Sequence, residues 1–241
     1  MSSSTGKAIA LMQPYFFPYL GYYQLLNLVD EFIIYDDVQY IKGGWINRNR
    51  ILQNGIPAMI TIPVNKGNLS DQILDKQISL QNMDRTVRKL LKRIDSCYKD
   101  APFFDSVLPL IRKILGKQTT SLAEFLEYSI RETASFLETN TPIITSSTLR
   151  KDDDGLKGQD RVLHICSIRN AATYINAIGG RSIYQQETFS KRGITLQFLK
   201  PEISPYGQNS KSFVPNLSIL DVMMYNDVSV ITEMLKEFEI I

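Results

Sequence analysis

The first thirty-five residues constrain the fold more than any other part of the chain. Ala8 to Met12 is a short apolar run that stops at Pro14. Pro18 to Leu28 then carries Tyr22, Leu25 and Leu26 at helical spacing with Val29 beyond, and Phe32 to Tyr35 is again short and apolar. Pro18 fits the start of a helix, where its missing N–H has no intrahelical partner to lose. A strand, a loop, a helix and a second strand in that order form a parallel pair joined by a right-handed crossover. The chain is therefore expected to be an α/β protein with a parallel-sheet core that opens on a β-loop-α-β unit.

Further along, Arg50 to Gln53 and Ala58 to Val64 flank Asn54-Gly55, which predicts an antiparallel hairpin attached to that sheet, and Ile73 to Ser79 is a further candidate strand. Asn82 to Tyr98, Pro102 to Leu115 and Ser121 to Leu137 have helical periodicity, the last behind a Ser121/Glu124 capping box. These make a helical insertion over about residues 82–140. Pro142 to Ser146 reads as a strand, Asp152-Asp153-Asp154-Gly155 as a solvated loop, and Gln159 to Asn170 as a helix. Tyr174 to Ile178, a Gly179-Gly180 turn, a short Ser182 to Thr188 piece and a strand at Ile194 to Leu199 follow, with closing helices at Ser218 to Tyr225 and Val230 to Phe238. With no repeat and no low-complexity linker, a single domain over residues 1–241 is expected. Folding at this length buries roughly 70% or more of the unfolded chain's surface, so neither metal nor disulfide is required for stability.

Charge and cysteine usage remove several function classes. With 27 Lys plus Arg against 25 Asp plus Glu, the net charge of +2 is too small for a general nucleic-acid or membrane-surface binder, so any anion site must be local. Only Cys97 and Cys166 are present and no apolar run approaches the roughly 20 residues of a membrane span; the Ser-rich start is not expected to be a signal peptide, and a cytoplasmic protein with reduced thiols is expected. The lone histidine, His164, excludes a multi-histidine metal site, and two cysteines exclude a Cys-rich zinc site, so no metal site is expected. His164 lies among Val162, Leu163 and Ile165 and reads as a packing residue, while Cys166 has no activating partner in sequence.

Polar and aromatic residues concentrate in two segments, Gln13 to Arg50 and Lys157 to Asp221. Ligands of open α/β sheets bind outside the carboxyl ends of the strands. Gln13 follows the first strand and Asp36-Asp37 the second, so all three are expected to border one crevice. Asp36 and Asp37 are the candidate catalytic carboxylates, suited to general-base chemistry. Lys42, Arg48, Arg50, Lys157, Arg161 and Arg181 are candidates to hold a diphosphate, since guanidinium forks match phosphate oxygens. Tyr15, Tyr22, Tyr40, Trp45 and Tyr184 can stack on a base or sugar face, and Gln13, Gln39 and Asn47 supply neutral hydrogen bonds. The structural alternatives are turn-capping carboxylates, packing aromatics and surface ion pairs.

The run Met12-Gln13-Pro14-Tyr15-Phe16-Phe17-Pro18-Tyr19-Leu20-Gly21-Tyr22-Tyr23-Gln24, then Ile34-Tyr35-Asp36-Asp37-Val38-Gln39-Tyr40-Ile41-Lys42 and Gly44-Trp45-Ile46-Asn47-Arg48-Asn49-Arg50-Ile51, resembles the WbqC-like family. Later motifs extend the likeness: Gly155-Leu156-Lys157 with Arg161, Gly179-Gly180-Arg181 with Tyr184, and Tyr206-Gly207-Gln208 with Phe213-Val214-Pro215-Asn216-Leu217-Ser218-Ile219-Leu220-Asp221. Asn226-Asp227 stands where such proteins often have Asn-Gly. The resemblance implies bacterial O-antigen or surface-polysaccharide biosynthesis, with transfer of glycine or another acyl group to a nucleotide-linked amino sugar. On that reading Asp36 or Asp37 takes the amine proton, Gln13 and Asn47 position the sugar, and Arg48, Arg50 and Lys157 hold the diphosphate. The acyl donor and any cofactor stay open.

Phe16-Phe17-Pro18 and Tyr19-Leu20-Gly21-Tyr22 also look like the first loop of nucleotidylyltransferases, which reads Phe-x-Pro and then His-x-Gly-His, but with tyrosine at both histidine positions and one residue fewer. That likeness implies a nucleoside triphosphate with magnesium on Asp36 and Asp37. A non-catalytic binding or scaffold protein of glycan assembly is the third expectation.

Overall fold

The computed structural model describes residues 6–68, 70–149 and 155–241. The chain begins with strand β1 (Lys7–Met12), helix α1 (Leu20–Leu28) and strand β2 (Glu31–Ile34), then a hairpin of β3 (Arg48–Gln53) and β4 (Ile56–Thr61). Helices α2 (Leu80–Tyr98), α3 (Phe104–Leu115) and α4 (Leu122–Phe136) lead to β5 (Ile143–Thr145). The second half runs α5 (Gly158–Ile168), β6 (Ala171–Ala177), α6 (Gln186–Ser190), β7 (Thr195–Pro201), α7 (Ile219–Tyr225), α8 (Val228–Met234) and β8 (Phe238–Ile240).

Six strands form one sheet in the order β5-β2-β1-β6-β7-β8. All neighbours are parallel except β8, which is antiparallel to β7. This is the expected α/β architecture, and β1-α1-β2 is its opening unit. Side chains of β1 alternate between two cores: Ile9 and Leu11 pack with Val162 and Ile165 of α5, whereas Ala10 belongs to the cluster of Leu25 and Leu26 of α1. Both faces are covered, which is why the strands read as continuous apolar runs. Ile94, Ile111 and Phe125 of the three middle helices join the same cluster as α1.

The order of strands sets the position of the site. From β1 the chain moves outward through β2 to β5, then returns to the opposite side of β1 as β6. The point where the winding reverses lies between β1 and β6, and loops leaving their carboxyl ends diverge there to leave a crevice. At the opposite ends of the strands, buried Glu31 accepts from Arg169 Nε (2.7 Å) and Nη2 (2.5 Å) and pairs with Lys7 (2.8 Å). Burial alone would raise the Glu31 pKa, but the bonds from Arg169 and Lys7 outweigh it and hold the carboxyl below its usual range.

Several local expectations change. The hairpin forms about Asn54 and Gly55, both at positive φ (53° and 75°), as its two-residue turn requires, but β3 and β4 make a separate two-stranded sheet. Both neighbours of β1 are already taken, and the hairpin is fastened instead by side-chain and loop hydrogen bonds. Residues 73–79 form no strand, because Lys76 N–H turns back to the Ile73 carbonyl, leaving isolated bridges at Gln77 and Ile78. The last helix ends early, and Phe238–Ile240 becomes the edge strand. Ser121 caps α4 by accepting the Glu124 N–H, but the Glu124 carboxylate takes the Thr119 hydroxyl and Lys117 rather than closing a capping box. The Asp152-Asp153-Asp154 run lies outside the described residues.

Candidate functional site

A cavity of about 490 Å³ opens at the winding reversal. Tyr15 and Tyr19 come from the loop after β1, Ile178 and Gly179 from the end of β6, Lys200 and Pro201 from β7, and Trp45, Asn49 and Arg50 from the hairpin side.

The loop after β1 is held in an uncommon conformation. Phe17, a bulky residue, sits at φ 43°, a strained region for a side chain of this kind. Asn49 Nδ2 donates to the carbonyls of Phe16 (3.1 Å) and Phe17 (2.6 Å), and Ser218 Oγ donates to the Phe17 carbonyl (2.9 Å). Phe16 and Phe17 are fully buried beneath it, and Tyr19 forms a bridge with Ser218. The hairpin and the residues before α7 therefore fix the wall that presents Tyr15 and Tyr19.

Arg50 supplies the charge. Its guanidinium lies 5.2 Å from the ring centroid of Trp45, and Nη2 donates to the Asn216 carbonyl (3.3 Å). Its Nε–H is buried and has no acceptor among the described residues. Burial raises the pKa of Tyr15 and, with a smaller contribution from Tyr15 itself, pushes that of Tyr19 up to about 12. Both phenols are therefore neutral at ordinary pH and serve as stacking surfaces and hydrogen-bonding groups, not as bases.

A second cavity, of about 630 Å³, lies over the end of β2 and is lined by Tyr35, Asp37, Gln39, Gln72, Lys157 and Arg161 among others. Arg161 Nη2 pairs with Asp37 Oδ2 at 2.8 Å, its Nη1 donates to the Asp37 carbonyl at 2.8 Å, and its guanidinium lies 5.2 Å from the Tyr35 ring centroid. Burial is the main cause that carries Tyr35 up to about 12, against the lowering effect of Arg161. Asp36, directed away from this space, is buried and takes hydrogen bonds from Ser146 Oγ (3.0 Å), Ser147 N–H (3.0 Å) and Ser147 Oγ (2.5 Å). Ser146 Oγ also contacts Asp37 Oδ1, so one hydroxyl bridges the two carboxyls. Gln13 follows β1, the strand between β2 and β6, and hence lies between the ends that open on the two cavities.

A third cavity, of about 470 Å³, is lined by Tyr40, Lys42, Asn47 and Arg48 together with Lys66 and Lys76. Asn47 is engaged internally: its Oδ1 accepts from the Tyr40 hydroxyl (2.8 Å) and its Nδ2 donates to the Ile62 carbonyl (2.7 Å). Arg48 likewise clamps its own turn, donating from Nε to the Gly44 carbonyl (2.9 Å) and from Nη2 to that of Gly43.

The candidates thus divide. Tyr15, Trp45 and Arg50 share one cavity, Asp37, Gln39, Lys157 and Arg161 the next, and Tyr40, Lys42, Asn47 and Arg48 the third. Gln13, Tyr22, Asp36, Arg181 and Tyr184 line none of the three. Tyr22 faces inward on α1, only 1% exposed, with its ring edge-on to Phe32 and Tyr23, so it cannot stack on a ligand. Tyr184 packs edge-on to Phe189 and Tyr174, and Arg181 is exposed. Burial pushes the Cys166 thiol up to about 12, which removes it as a nucleophile at neutral pH. Among the described residues no cluster of three or more His, Cys, Asp or Glu could hold a metal ion, and no helix is long and apolar enough to cross a membrane.

Sequence reasoning missed Ser146, Ser147, Tyr19, Lys66 and Lys76. The signal for the two serines was present: they lie at the carboxyl end of the strand read at Pro142 to Ser146, and the carboxyl-end rule that selected Gln13 and Asp37 selects them equally.

Fold and cavities define a doubly covered α/β protein with a cleft at the carboxyl end of its sheet. The chain belongs to the WbqC-like protein family, whose profile matches residues 13–233. It is similar to "Uncharacterized protein Rv1507c" of Mycobacterium tuberculosis, 29% identical over 220 residues that span 90% of this chain and 93% of that one. No solved structure matches significantly.

Proposed function

We propose that the protein is a transferase of bacterial surface-glycan (O-antigen) biosynthesis that acts on a nucleotide-linked amino sugar, passing glycine or another acyl group to the sugar amine. The observation that carries this reading is the buried Arg50 Nε–H, which has no acceptor among the described residues, beside Trp45 in a cavity at the winding reversal. An unsatisfied buried donor of this kind costs roughly 1–3 kcal/mol, which an anionic ligand oxygen recovers. Trp45, Tyr15 and Tyr19 suit the face of a base, and Arg50 suits the diphosphate that follows it. The sugar then extends past Gln13 toward Asp37. Arg50 takes the phosphate role in preference to Arg48, whose Nε and Nη2 hold the Gly44 and Gly43 carbonyls. The surface-glycan context rests on the family.

Of the two carboxylates, both buried, Asp37 is the proposed base, because it lines a cavity and Asp36, held by three serine donors, lines none. As the amine nitrogen bonds to the acyl carbon, the bond to the donor's leaving group breaks and the amine proton passes to Asp37. The test is acyl transfer to a panel of nucleotide-linked amino sugars, measured beside calorimetric binding of the same sugars. Asp37→Asn should lower turnover by roughly a hundredfold or more with little change in binding. Arg50→Ala should weaken binding by about 1–3 kcal/mol. Full turnover in Asp37→Asn removes the carboxylate from the mechanism, and absence of sugar binding by the wild type removes the substrate class.

A further inference from the structure

The third cavity gathers charge far beyond the chain's overall balance. Lys42, Arg48, Lys66 and Lys76 all line it, in a protein whose net charge is +2. Lys76 Nζ pairs with the carboxylate of Asp71 at 2.7 Å, and Asp71 also accepts the Asn68 N–H at 2.9 Å. Four cations against that one carboxylate leave a surplus of three. Arg48 holds the Gly44 and Gly43 carbonyls through Nε and Nη2, which leaves its charge in place. Lys42 and Lys66 are exposed at the rim and make no ion pair among the described residues, whereas Lys76 is buried, its ammonium 5.2 Å from the Tyr40 ring centroid.

This arrangement is built and not a scatter of surface lysines. A side chain at Gly67 would collide with Asp71 Oδ2 and Lys76 Nζ, so the loop that carries Lys66 packs its backbone directly on the buried ion pair. Asn47, also buried, closes the floor from the hairpin side. Like charges held together repel at this range, and a polyanion is the counterion that relieves them. A phosphate group fits the donors best, since Lys66 and Lys42 offer ammonium groups that can turn toward its oxygens.

We infer that this cavity is a binding site for the phosphate or diphosphate group of a small molecule, separate from the cavity at the winding reversal. The inference does not rest on the nucleotide-sugar reading. Arg48 and Arg50 are two residues apart on β3 and line different cavities, so ligands in the two sites would lie side by side along one strand.

The test uses inorganic pyrophosphate, titrated calorimetrically into the full chain at two salt concentrations. The wild type should bind with an affinity that falls as salt rises. The double variant Lys42→Ala/Lys66→Ala should lose on the order of tenfold or more, and Lys66→Glu at least as much, with thermal midpoints unchanged because both lysines are exposed. Lys191→Ala, at an exposed lysine that lines none of the three cavities, should keep the pyrophosphate affinity of the wild type. An unchanged affinity in the double variant, or an equal loss in Lys191→Ala, overturns the site. Nucleotide-sugar binding is scored in its own titration, so failure there leaves this result distinct.

Discussion

Adjacent residues of one type can carry unlike duties, and Asp36 and Asp37 show how. Both lie just beyond β2 and share the Ser146 hydroxyl, but Asp36 takes further bonds from Ser147 while Asp37 pairs with Arg161 and lines the cavity. Sequence placed both at the right strand end but could not divide them, because the donors that occupy Asp36 lie more than a hundred residues away at Ser146 and Ser147. Asp221 was legible only as part of a motif. It is fully buried and accepts from the Tyr98 hydroxyl (2.7 Å), the Tyr206 hydroxyl (2.8 Å) and Gln208 Nε2 (2.8 Å), joining α2, the 206–208 loop and α7. Burial raises its pKa above the ordinary 3.8 despite the three bonds that lower it. A raised folded-state value means the native state binds the proton more tightly than the unfolded chain. Its contribution to stability is thus full below about 3.8 and is lost as pH rises through the higher native value. Asp221→Asn, which cannot ionise, should gain stability relative to wild type as pH rises across that window, as denaturant unfolding at a series of pH values would record. Parallel pH profiles for the two proteins would contradict this.

At the scale of elements, the hairpin is where sequence reasoning succeeded and then stopped. Asn54-Gly55 fixed its turn, since both residues must adopt positive φ, but no local signal says which surface a hairpin will meet. Its attachment depends on Asn49 reaching two carbonyls over thirty residues earlier, on the Leu52 N–H donating to the Tyr98 hydroxyl (3.0 Å), and on the Ser218 N–H donating to the Arg50 carbonyl (2.8 Å). These contacts bring Trp45 and Arg50 to the end of a sheet in which they take no part. Asn49→Ala leaves the Phe16 and Phe17 carbonyls without that donor while Phe17 stays strained, and should cost roughly 1–3 kcal/mol of stability. It should also weaken nucleotide-sugar binding, because Tyr15 and Tyr19 stand on the released loop. Unfolding free energy and calorimetric affinity both equal to wild type would show that the hairpin does not position this wall.

Across the whole molecule, the ion-paired ends and the cavity-bearing ends of one sheet lie opposite each other. The amino-terminal ends are tied by Glu31, Arg169 and Lys7, while the carboxyl ends open on the cavities. The parallel opening was readable from periodicity, and with it the end of the sheet that would bear polar residues. The strand order, and hence the reversal beside β1, was not, because it depends on long-range pairing of β1 with β6, residues 7–9 against 171–174. The chain contains a single tryptophan, Trp45, and it stands 42% exposed at the cavity assigned to the nucleotide. Its fluorescence therefore reports on that cavity. Titration with nucleoside-diphosphate-linked amino sugars should produce a saturable change in Trp45 emission that Arg50→Ala shifts to higher ligand concentration by about 5- to 150-fold, the equivalent of losing one charge-assisted hydrogen bond. Calorimetric binding of the same sugars with no change in Trp45 emission, or no binding of any of them, would contradict the assignment of the cavity at the winding reversal.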